Sequence, residues 1–299
     1  MNDLRALLGS LQNEIQDEDG LWKLRGFIDT ASRIYPLSTD TKVISKALEL
    51  MILPGLTRFF EERGCQVILA EEQNHYPDIS VIMGKNKWAI ELKSTCRNPR
   101  NPEVVSGFTL GAFTGYFRDG TSTKNITFPY AEYREHHILG TIYTRNEGVD
   151  LQPVYQYRDL KKIPPPIYDI VIFFQPKWRL ASDSPGSGNT TNMGSVKGVD
   201  ELVNGRGVFF ARFGKRGREV FDLYWQKYLT ADMARRAELA KPPFRNLDEF
   251  LRYRRINRGA ANERPVSRLD ARNKKIAYNP VSGFKGQAIA VDMGKPCGD

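Results

Sequence analysis

An α/β (α+β) fold, with a mixed central sheet flanked by helices, is the class that this sequence predicts. Three observations indicate it. Residues 78–93 hold two short alternating stretches joined by Gly84 and Lys85, which is typical of a β-hairpin. Residues 4–15 repeat leucines at helical spacing. Residues 168–174 are almost continuously apolar, as in a strand that is buried on both faces.

Two helices are predicted before the hairpin. The first covers residues 4–15. The second starts after the Ser-Thr-Asp of residues 38–40, because these residue types cap helices well. It carries Glu49, and Pro54 is expected to end it or to begin a break. Helical spacing then continues to Gly64, an expected C-terminal cap, and a strand follows.

The chain after the hairpin predicts alternating strands and helices. Spacing of apolar residues indicates the helices, and apolar runs indicate the strands. Three consecutive prolines indicate an extended connector. The predicted elements are a strand or a close backbone approach to a ligand at 108–111, a helix at 130–139, a strand at 140–143, the connector at 163–167, a strand at 168–174, and helices at 221–229 and 247–255.

The hairpin is predicted to bring three chemically useful side chains together. A two-residue type II′ turn fixes the pairing of its strands. Asp78 then lies opposite Glu91, and Ile79 lies opposite Ile90. The apolar side chains share the core face of this half-buried hairpin. Asp78, Glu91 and Lys93 share the other face, because side chains alternate along a strand.

Two facing carboxylates suggest a metal site. At about 4 Å near a protein surface, like charges repel by roughly 4 kcal/mol. A divalent cation reverses the sign, and oxygen ligands suit Mg²⁺. Lys93 could hold a phosphate oxygen or help to deprotonate a water molecule. The alternative is a surface hairpin with a cross-strand Glu–Lys salt bridge. The Pro-Asp start, the hairpin spacing and the facing geometry favour the metal site.

The positive charge of the chain is concentrated near its end. The net charge is +9, and residues 251–275 hold nine Lys or Arg against Glu263 and Asp270. The main body is therefore close to neutral, and a basic segment follows it. A basic segment on a balanced protein favours nucleic acid as the partner. A solvated tail without a partner is the alternative.

The number of cysteines and the hydropathy of the chain indicate the cellular compartment in which the protein works. The three cysteines are few and widely separated, so neither a disulfide framework nor a zinc site is predicted. No apolar run approaches the roughly 20 residues that span a bilayer. The first residues lack a cationic leader followed by an apolar core, and we expect no secretory signal. An intracellular, cytoplasmic protein without a membrane partner is predicted.

A polar loop at residues 186–192, Gly-Ser-Gly-Asn-Thr-Thr-Asn, is the second candidate site. It lacks the lysine of a Walker A loop. Asn189 offers the donor and acceptor that match adenine, and the Thr190 methyl could contact a thymine methyl. Most such loops are only connectors. The amides of Gln73 and Asn74, just before the hairpin, suit groove contacts or a turn.

Several short segments together resemble the EcoRV-like type II restriction endonucleases of the PD-(D/E)xK nuclease superfamily. They occur in the family's order over roughly residues 1–258, and a recognition loop and a catalytic hairpin recur together. The segments are residues 34–37 (Ile-Tyr-Pro-Leu), 40–43 (Asp-Thr-Lys-Val), 73–78 (Gln-Asn-His-Tyr-Pro-Asp), 108–111 (Phe-Thr-Leu-Gly), 123–126 (Thr-Lys-Asn-Ile), 143–145 (Tyr-Thr-Arg) and 186–192.

The resemblance implies a role for each matching position. Asp78, Glu91 and Lys93 would be the catalytic set, and Glu49 a further acidic residue near the metal. The predicted DNA contacts fall into three groups: Gly186, Ser187, Gly188, Asn189 and Thr190 in a loop that reads bases in the major groove, Gln73 and Asn74 along the minor groove, and Thr41, Thr95 and Lys124 at phosphates.

The resemblance also implies an activity. A restriction-endonuclease-like homodimer would cut palindromic double-stranded DNA with Mg²⁺, for which Mn²⁺ could substitute. The leading site is GATATC, cut bluntly to leave 5′-phosphate and 3′-hydroxyl ends. A cognate DNA methyltransferase is expected in the same prokaryotic system. The alternatives are a structure-selective repair or recombination nuclease of the same superfamily, and a DNA-binding protein that does not cut.

The chain departs from the family pattern in three places. Glu91 stands where the family's EcoRV pattern has an aspartate. Because the side chain of Glu91 is longer than that of aspartate, it could shift the position of a bound metal ion. Residues after about 200 match loosely, and the chain beyond 258 has no counterpart. The resemblance thus implies an endonuclease domain over residues 1–258, in which parts for dimerisation, DNA binding and catalysis are interleaved. A basic and poorly ordered C-terminal extension is expected over residues 259–299.

Overall fold

The computed structural model describes residues 2–72, 75–186 and 190–260. Its helices are α1 (Asn2–Ile15), α2 (Thr41–Glu61), α3 (Val199–Val203), α4 (Val208–Phe213), α5 (Gly217–Lys227), α6 (Ala231–Arg236) and α7 (Leu247–Ala260). Its strands are β1 (Gly26–Ile28), β2 (Arg33–Pro36), β3 (Gln66–Leu69), β4 (Ile79–Met83), β5 (Asn86–Asn98), β6 (Asn101–Val105), β7 (Thr109–Ala112), β8 (Tyr133–Arg145), β9 (Tyr155–Gln156), β10 (Ile167–Pro176), β11 (Ala181–Pro185) and β12 (Asn192–Ser195).

A mixed sheet with helices on both faces forms the centre of the molecule, which confirms the predicted fold class. Its strand order is β10-β8-β5-β4-β3, and β6 also pairs with β5. The β5–β8 pair is parallel, and the other pairs are antiparallel. One apolar core joins the sheet to α1 and α2. A second core joins it to the helices near the C-terminus. The hairpin β4–β5 packs against the first core with one face, and a smaller cluster that includes Tyr76 and Tyr133 covers the other.

Helix α2 begins where its capping residues predict. The Asp40 carboxylate accepts hydrogen bonds from the amides of Lys42 and Val43, at 2.9 and 3.2 Å. Pro54 does not end this helix, which continues to Glu61. Proline removes one bond to the carbonyl of Leu50. That carbonyl belongs to a residue whose side chain faces solvent, where water can replace the lost donor.

The hairpin register agrees with the prediction. Ile79 pairs with Ile90, and Val81 pairs with Trp88. Gly84 begins the turn with a φ of +59°, the left-handed conformation that a type II′ turn requires at this position. The prediction of a half-buried hairpin was wrong. Ser80 and Ala89, on the other face, are fully buried, because aromatic side chains cover that face.

The helix predicted for residues 130–139 was also wrong. A single turn of 3₁₀ helix covers Tyr130–Glu132, and strand β8 follows it. This strand lies in the middle of the sheet, between β5 and β10. Because both of its faces are covered, its residues from His136 to Tyr143 are almost all buried and lack the alternation of a half-buried strand.

The remaining predicted elements agree with the structure to within a few residues. The segment at 108–111 lies largely in strand β7, and residues 140–143 lie in β8. The apolar strand is β10, which contributes Ile172 to the first core and Phe173 to the second. The two predicted helices lie in α5 and α7. No helix in the described part of the chain is long and apolar enough to cross a bilayer.

A small third sheet, β11-β12-β7, leads to the predicted recognition loop. The Tyr224 hydroxyl donates to the Asp183 carbonyl at 2.6 Å, and the Leu247 amide donates to the Asp183 carboxylate at 2.9 Å. Helices α5 and α7 are thus attached to the strand that enters the loop. The predicted basic extension, residues 259–299, lies outside the described residues apart from the end of α7.

Candidate active site

Asp78 is fixed at the start of the hairpin by its neighbours on both sides. Its backbone carbonyl accepts a hydrogen bond from the Ala70 amide at 3.0 Å. Its carboxylate accepts one from the Leu92 amide at 2.7 Å. Leu92 lies on β5 between Glu91 and Lys93. The second bond therefore holds the Asp78 carboxylate against the segment that carries the other two candidate residues.

Glu91 is almost completely buried, with only 7% of its surface exposed. One of its oxygens, Oε1, lies 3.5 Å from the Lys93 Nζ. The other, Oε2, is buried and has no hydrogen-bond partner among the described residues. A surface salt bridge would leave this oxygen in water. The buried, unpaired oxygen instead suits a ligand that the protein itself does not supply.

The electrostatics of the three residues are tightly linked. Burial raises the pKa of Asp78 to about 6, although Lys93 opposes the shift; Glu91 and Glu49 add to it. Burial alone would lower the pKa of Lys93, but attraction to Glu91 and Asp78 outweighs it, and the net change is a rise. Lys93 therefore holds its proton in this arrangement. The carboxylates carry a charge that a bound cation would stabilise.

Glu49 faces this site from helix α2. It lines a pocket with Lys93, and the other lining residues are Ser45, Leu48, Ile52, Leu92, Ser94, Leu139 and Thr141. The Glu49 Oε1 accepts a hydrogen bond from the Lys46 Nζ at 2.6 Å. Across the described ranges, no three acidic, histidine or cysteine side chains lie close enough to form a complete metal site. Asp78 and Glu91 thus form a pair on the hairpin, and Glu49 lies on α2 beside the pocket that Lys93 also lines.

Oxygen donors and an unpaired buried carboxylate oxygen fit a hard divalent cation such as Mg²⁺. Mg²⁺ commonly takes one or two carboxylates from the protein and completes its shell with water and substrate phosphate. A pair of carboxylates is therefore sufficient for it, and the pocket beside Lys93 leaves room for the remaining ligands.

The residues predicted to contact DNA differ in their exposure to solvent. Thr41 and Lys124 are exposed, at the start of α2 and in a loop. Thr95 is buried, and its hydroxyl donates to the Gly107 carbonyl at 3.3 Å, so it is not presented to a phosphate in this arrangement. Gly186 and Thr190 are the predicted contacts of the recognition loop that the structure describes. The other predicted contacts, Gln73, Asn74, Ser187, Gly188 and Asn189, lie outside the described residues.

Sequence reasoning missed a group of residues beneath the hairpin. The Tyr76 hydroxyl shares a 2.8 Å hydrogen bond with the His136 Nδ1. The rings of Tyr116 and Tyr130 pack against Tyr76, at centroid distances of 5.0 and 5.9 Å. Lys177 is 1% exposed beside these rings. Only tertiary packing brings them together, and no local pattern in the sequence indicates it.

The mixed sheet and the hairpin with two carboxylates and a lysine define a nuclease of the restriction-endonuclease class. The family described as "Restriction endonuclease EcoRV" matches residues 18–255. The type II restriction enzyme EcoRV of Escherichia coli is 34% identical over 251 residues, which cover 82% of this chain and 96% of that protein. The chain belongs to the EcoRV family of restriction endonucleases, and its activity is that of a type II site-specific deoxyribonuclease.

Proposed function

We propose that this chain cuts double-stranded DNA with Mg²⁺ at the palindrome GATATC, bluntly and at its centre. The products would carry 5′-phosphate and 3′-hydroxyl ends. The observation that carries the chemistry is the hairpin pair. Asp78 and Glu91 are held together with Lys93, and Glu91 Oε2 is buried without a partner in the described part of the chain.

Asp78 and Glu91 would hold Mg²⁺, with Glu49 as a further acidic ligand from α2. Mn²⁺, which accepts the same oxygen ligands, would substitute for it. When bound, the ion would supply charge stabilisation at the phosphate and at the leaving 3′ oxygen. Lys93, as a cation beside Glu91, would orient the attacking water and the scissile phosphate. The hydrogen bond from Leu92 would keep Asp78 in position for this.

The proposed sequence specificity rests on the loop at residues 186–192, whose residues match the family's recognition loop. The structure shows how its ends are held. The Gly186 amide donates to the Asn192 carbonyl at 3.0 Å, and β11 and β12 pair on either side. A loop held on a paired stem can present its side chains to base edges in a fixed register.

A homodimer is proposed because a palindrome needs a two-fold reader. The small sheet β1-β2-β9 and its neighbour Tyr157 expose several apolar side chains. Phe27, Ile28 and Tyr157 are 60%, 58% and 64% exposed. Exposed apolar patches of this kind mark interaction surfaces. Because the DNA site is two-fold symmetric, we expect a second copy of the chain to cover this apolar patch.

Digestion of a sequenced plasmid with Mg²⁺, and with EDTA as the control, tests the proposal. Discrete fragments whose sequenced ends fall at the centre of GATATC are expected. Asp78→Ala should abolish cutting. Glu103→Gln, at an exposed carboxylate on β6, should not change it. Random cutting, cutting at another sequence, or full activity of Asp78→Ala would contradict the proposal.

A cognate DNA methyltransferase is also part of the proposal. Genomic DNA from the source cells should then resist digestion at sites that the enzyme cuts in unmodified plasmid. Equal cutting of both DNAs would argue against such a partner.

A further inference from the structure

Lys177 is a buried lysine that the proposed reaction does not use. It lies in a short 3₁₀ turn, Lys177–Arg179, directly after β10. Its side chain is 1% exposed, and its Nζ has no hydrogen-bond partner among the described residues. Burial of an ammonium group without partners is costly. The burial of the Lys177 ammonium group therefore destabilises the fold, which suggests that this lysine has a functional role.

The surroundings of Lys177 form an aromatic cage, which we define as Tyr76, Tyr116 and Tyr130. The Lys177 Nζ lies 4.9 Å from the ring centre of Tyr76 and 5.5 Å from that of Tyr130. Cations are attracted to the faces of aromatic rings at such distances. The tyrosine rings thus give the ammonium group a fixed place, although they do not satisfy its hydrogen-bonding capacity.

The cage extends to the candidate active site. Gly111 has a φ of +83°, and a Cβ there would lie 3.5 Å from the Lys177 Nζ and 3.4 Å from the Tyr116 hydroxyl. Glycine thus lets the backbone pass close to both groups. Burial and the charge of Glu91 raise the pKa of Tyr116. The charge of Glu91 thus acts on Tyr116, a member of the cage around Lys177.

Glu91 and Lys177 are opposite charges, and each has an unsatisfied buried atom. Glu91 Oε1 faces Lys93, whereas Glu91 Oε2 has no partner among residues 2–72, 75–186 and 190–260. The two groups are not in direct contact, since no ion pair within 4.0 Å joins them among the described salt bridges. Glu91 lies beside Ile138 of β8, and Ile138 pairs with Gln175 of β10, two residues before Lys177. One strand of the sheet therefore separates the two residues. The charge of Glu91 raises the pKa of Lys177, although burial lowers it to about 8 overall.

We propose that Lys177 is a positioning residue for the cleavage reaction: its caged ammonium attracts Glu91 from the protein interior and fixes the orientation of that carboxylate. Lys93 attracts the same carboxylate from the side of the pocket. The inference rests on the proposed function. It has two consequences. A fixed positive charge near the carboxylate pair weakens the binding of a divalent cation, and it keeps Glu91 in the orientation that supports turnover.

The test compares the wild type with Lys177→Met, a neutral side chain of similar length. Mn²⁺ binding to the DNA-free protein is measured by calorimetry at pH 7. Single-turnover cleavage is measured at saturating Mg²⁺. We expect Lys177→Met to bind Mn²⁺ at least threefold more tightly and to cleave at least tenfold more slowly. Its melting temperature should not fall, because an apolar isostere replaces an unpaired buried charge.

Two further variants sharpen the test. Lys177→Arg keeps the charge and should bind Mn²⁺ within twofold of the wild type. Lys161→Met removes an exposed lysine and should change neither readout. If Lys177→Met does not fold, Lys177→Gln replaces the charge with a neutral polar side chain. Its Mn²⁺ affinity and its single-turnover cleavage rate are then measured in the same way.

Wild-type Mn²⁺ affinity and cleavage rate in both neutral variants would overturn the inference. Slower cleavage with a lower melting temperature and unchanged Mn²⁺ affinity would also overturn it, because Lys177 would then be only structural. A wild type that neither cuts nor binds Mn²⁺ would refute the proposed function itself, and the Lys177 inference would fall with it.

Discussion

Replacement of Asp78 by asparagine should stabilise the metal-free protein. Burial, and repulsion from Glu91 and Glu49, raise the pKa of the Asp78 carboxyl from its ordinary 3.8 to about 6, against the attraction of Lys93. Each pKa unit is worth about 1.4 kcal/mol of free energy. The difference of about two units therefore corresponds to about 2–3 kcal/mol of lost stability when Asp78 is ionised. Asparagine removes that charge and can still accept the hydrogen bond from Leu92.

The sign of this effect depends on pH. Unfolded Asp78 loses its proton near 3.8, and folded Asp78 loses it near 6. Between these values the folded state binds more protons, so the stability of the wild type falls as the pH rises. The penalty is absent below the lower value and complete above the higher one. The advantage of Asp78→Asn should therefore be full at pH 7.5 and small at pH 3.5.

Urea unfolding in EDTA, followed by tryptophan fluorescence at one fixed protein concentration, measures the difference. Asp19→Asn, at an exposed carboxylate, is the control and should leave the unfolding free energy unchanged. Added Mg²⁺ should stabilise the wild type through binding to the folded state, and should not stabilise Asp78→Asn. An Asp78→Asn variant that is no more stable than the wild type at pH 7.5 would refute the reasoning, as would an equal difference at pH 3.5.

Three further predictions address catalysis, specificity and assembly. Glu91→Asp should withdraw the carboxylate from Lys93, now 3.5 Å away, and slow single-turnover cleavage by on the order of 10- to 100-fold; an unchanged rate would show that side-chain length is unimportant there. Asp183→Ala removes the acceptor for the Leu247 amide beside the recognition loop, and should reduce discrimination in kcat/KM against sites with one altered base by about fivefold. Phe27→Glu places a charge in the exposed apolar patch and should convert a dimer to a monomer in analytical ultracentrifugation; a persistent dimer would locate the interface elsewhere.

The hairpin and the first two helices could be predicted from the sequence because local rules decide them. Alternation and a two-residue turn set the pairing of Ile79 with Ile90. The capping chemistry of Asp40 sets the start of α2. In each case, the residues that specify the element lie within a few positions of it. Local propensity and tertiary packing agree there, and the predicted pairing of the hairpin and the predicted start of α2 were confirmed.

Strand β8 and Lys177 could not be predicted because distant parts of the chain decide them. A central strand loses its alternation when both faces are buried, and helical spacing in residues 130–139 then arises from composition alone. Lys177 lies about 100 residues from Tyr76, whose ring it approaches. Nothing near Lys177 in the sequence distinguishes it from a surface lysine. Its burial follows from tertiary contacts with the rings of Tyr76 and Tyr130.

The candidate active site also violates the rules that hold in the rest of the interior. Asp78 has a raised pKa, and Glu91 and Lys177 each bury a polar atom that no described residue satisfies. Each of these features destabilises the fold, and two large apolar cores on either side of the sheet compensate for them. Natural proteins accept such violations where a ligand or a reaction requires them. The neutral variants Asp78→Asn and Lys177→Met should therefore share one signature, unchanged or increased stability with reduced cleavage. Residues that only support the fold would show the opposite pattern, since their loss lowers stability first and activity as a consequence.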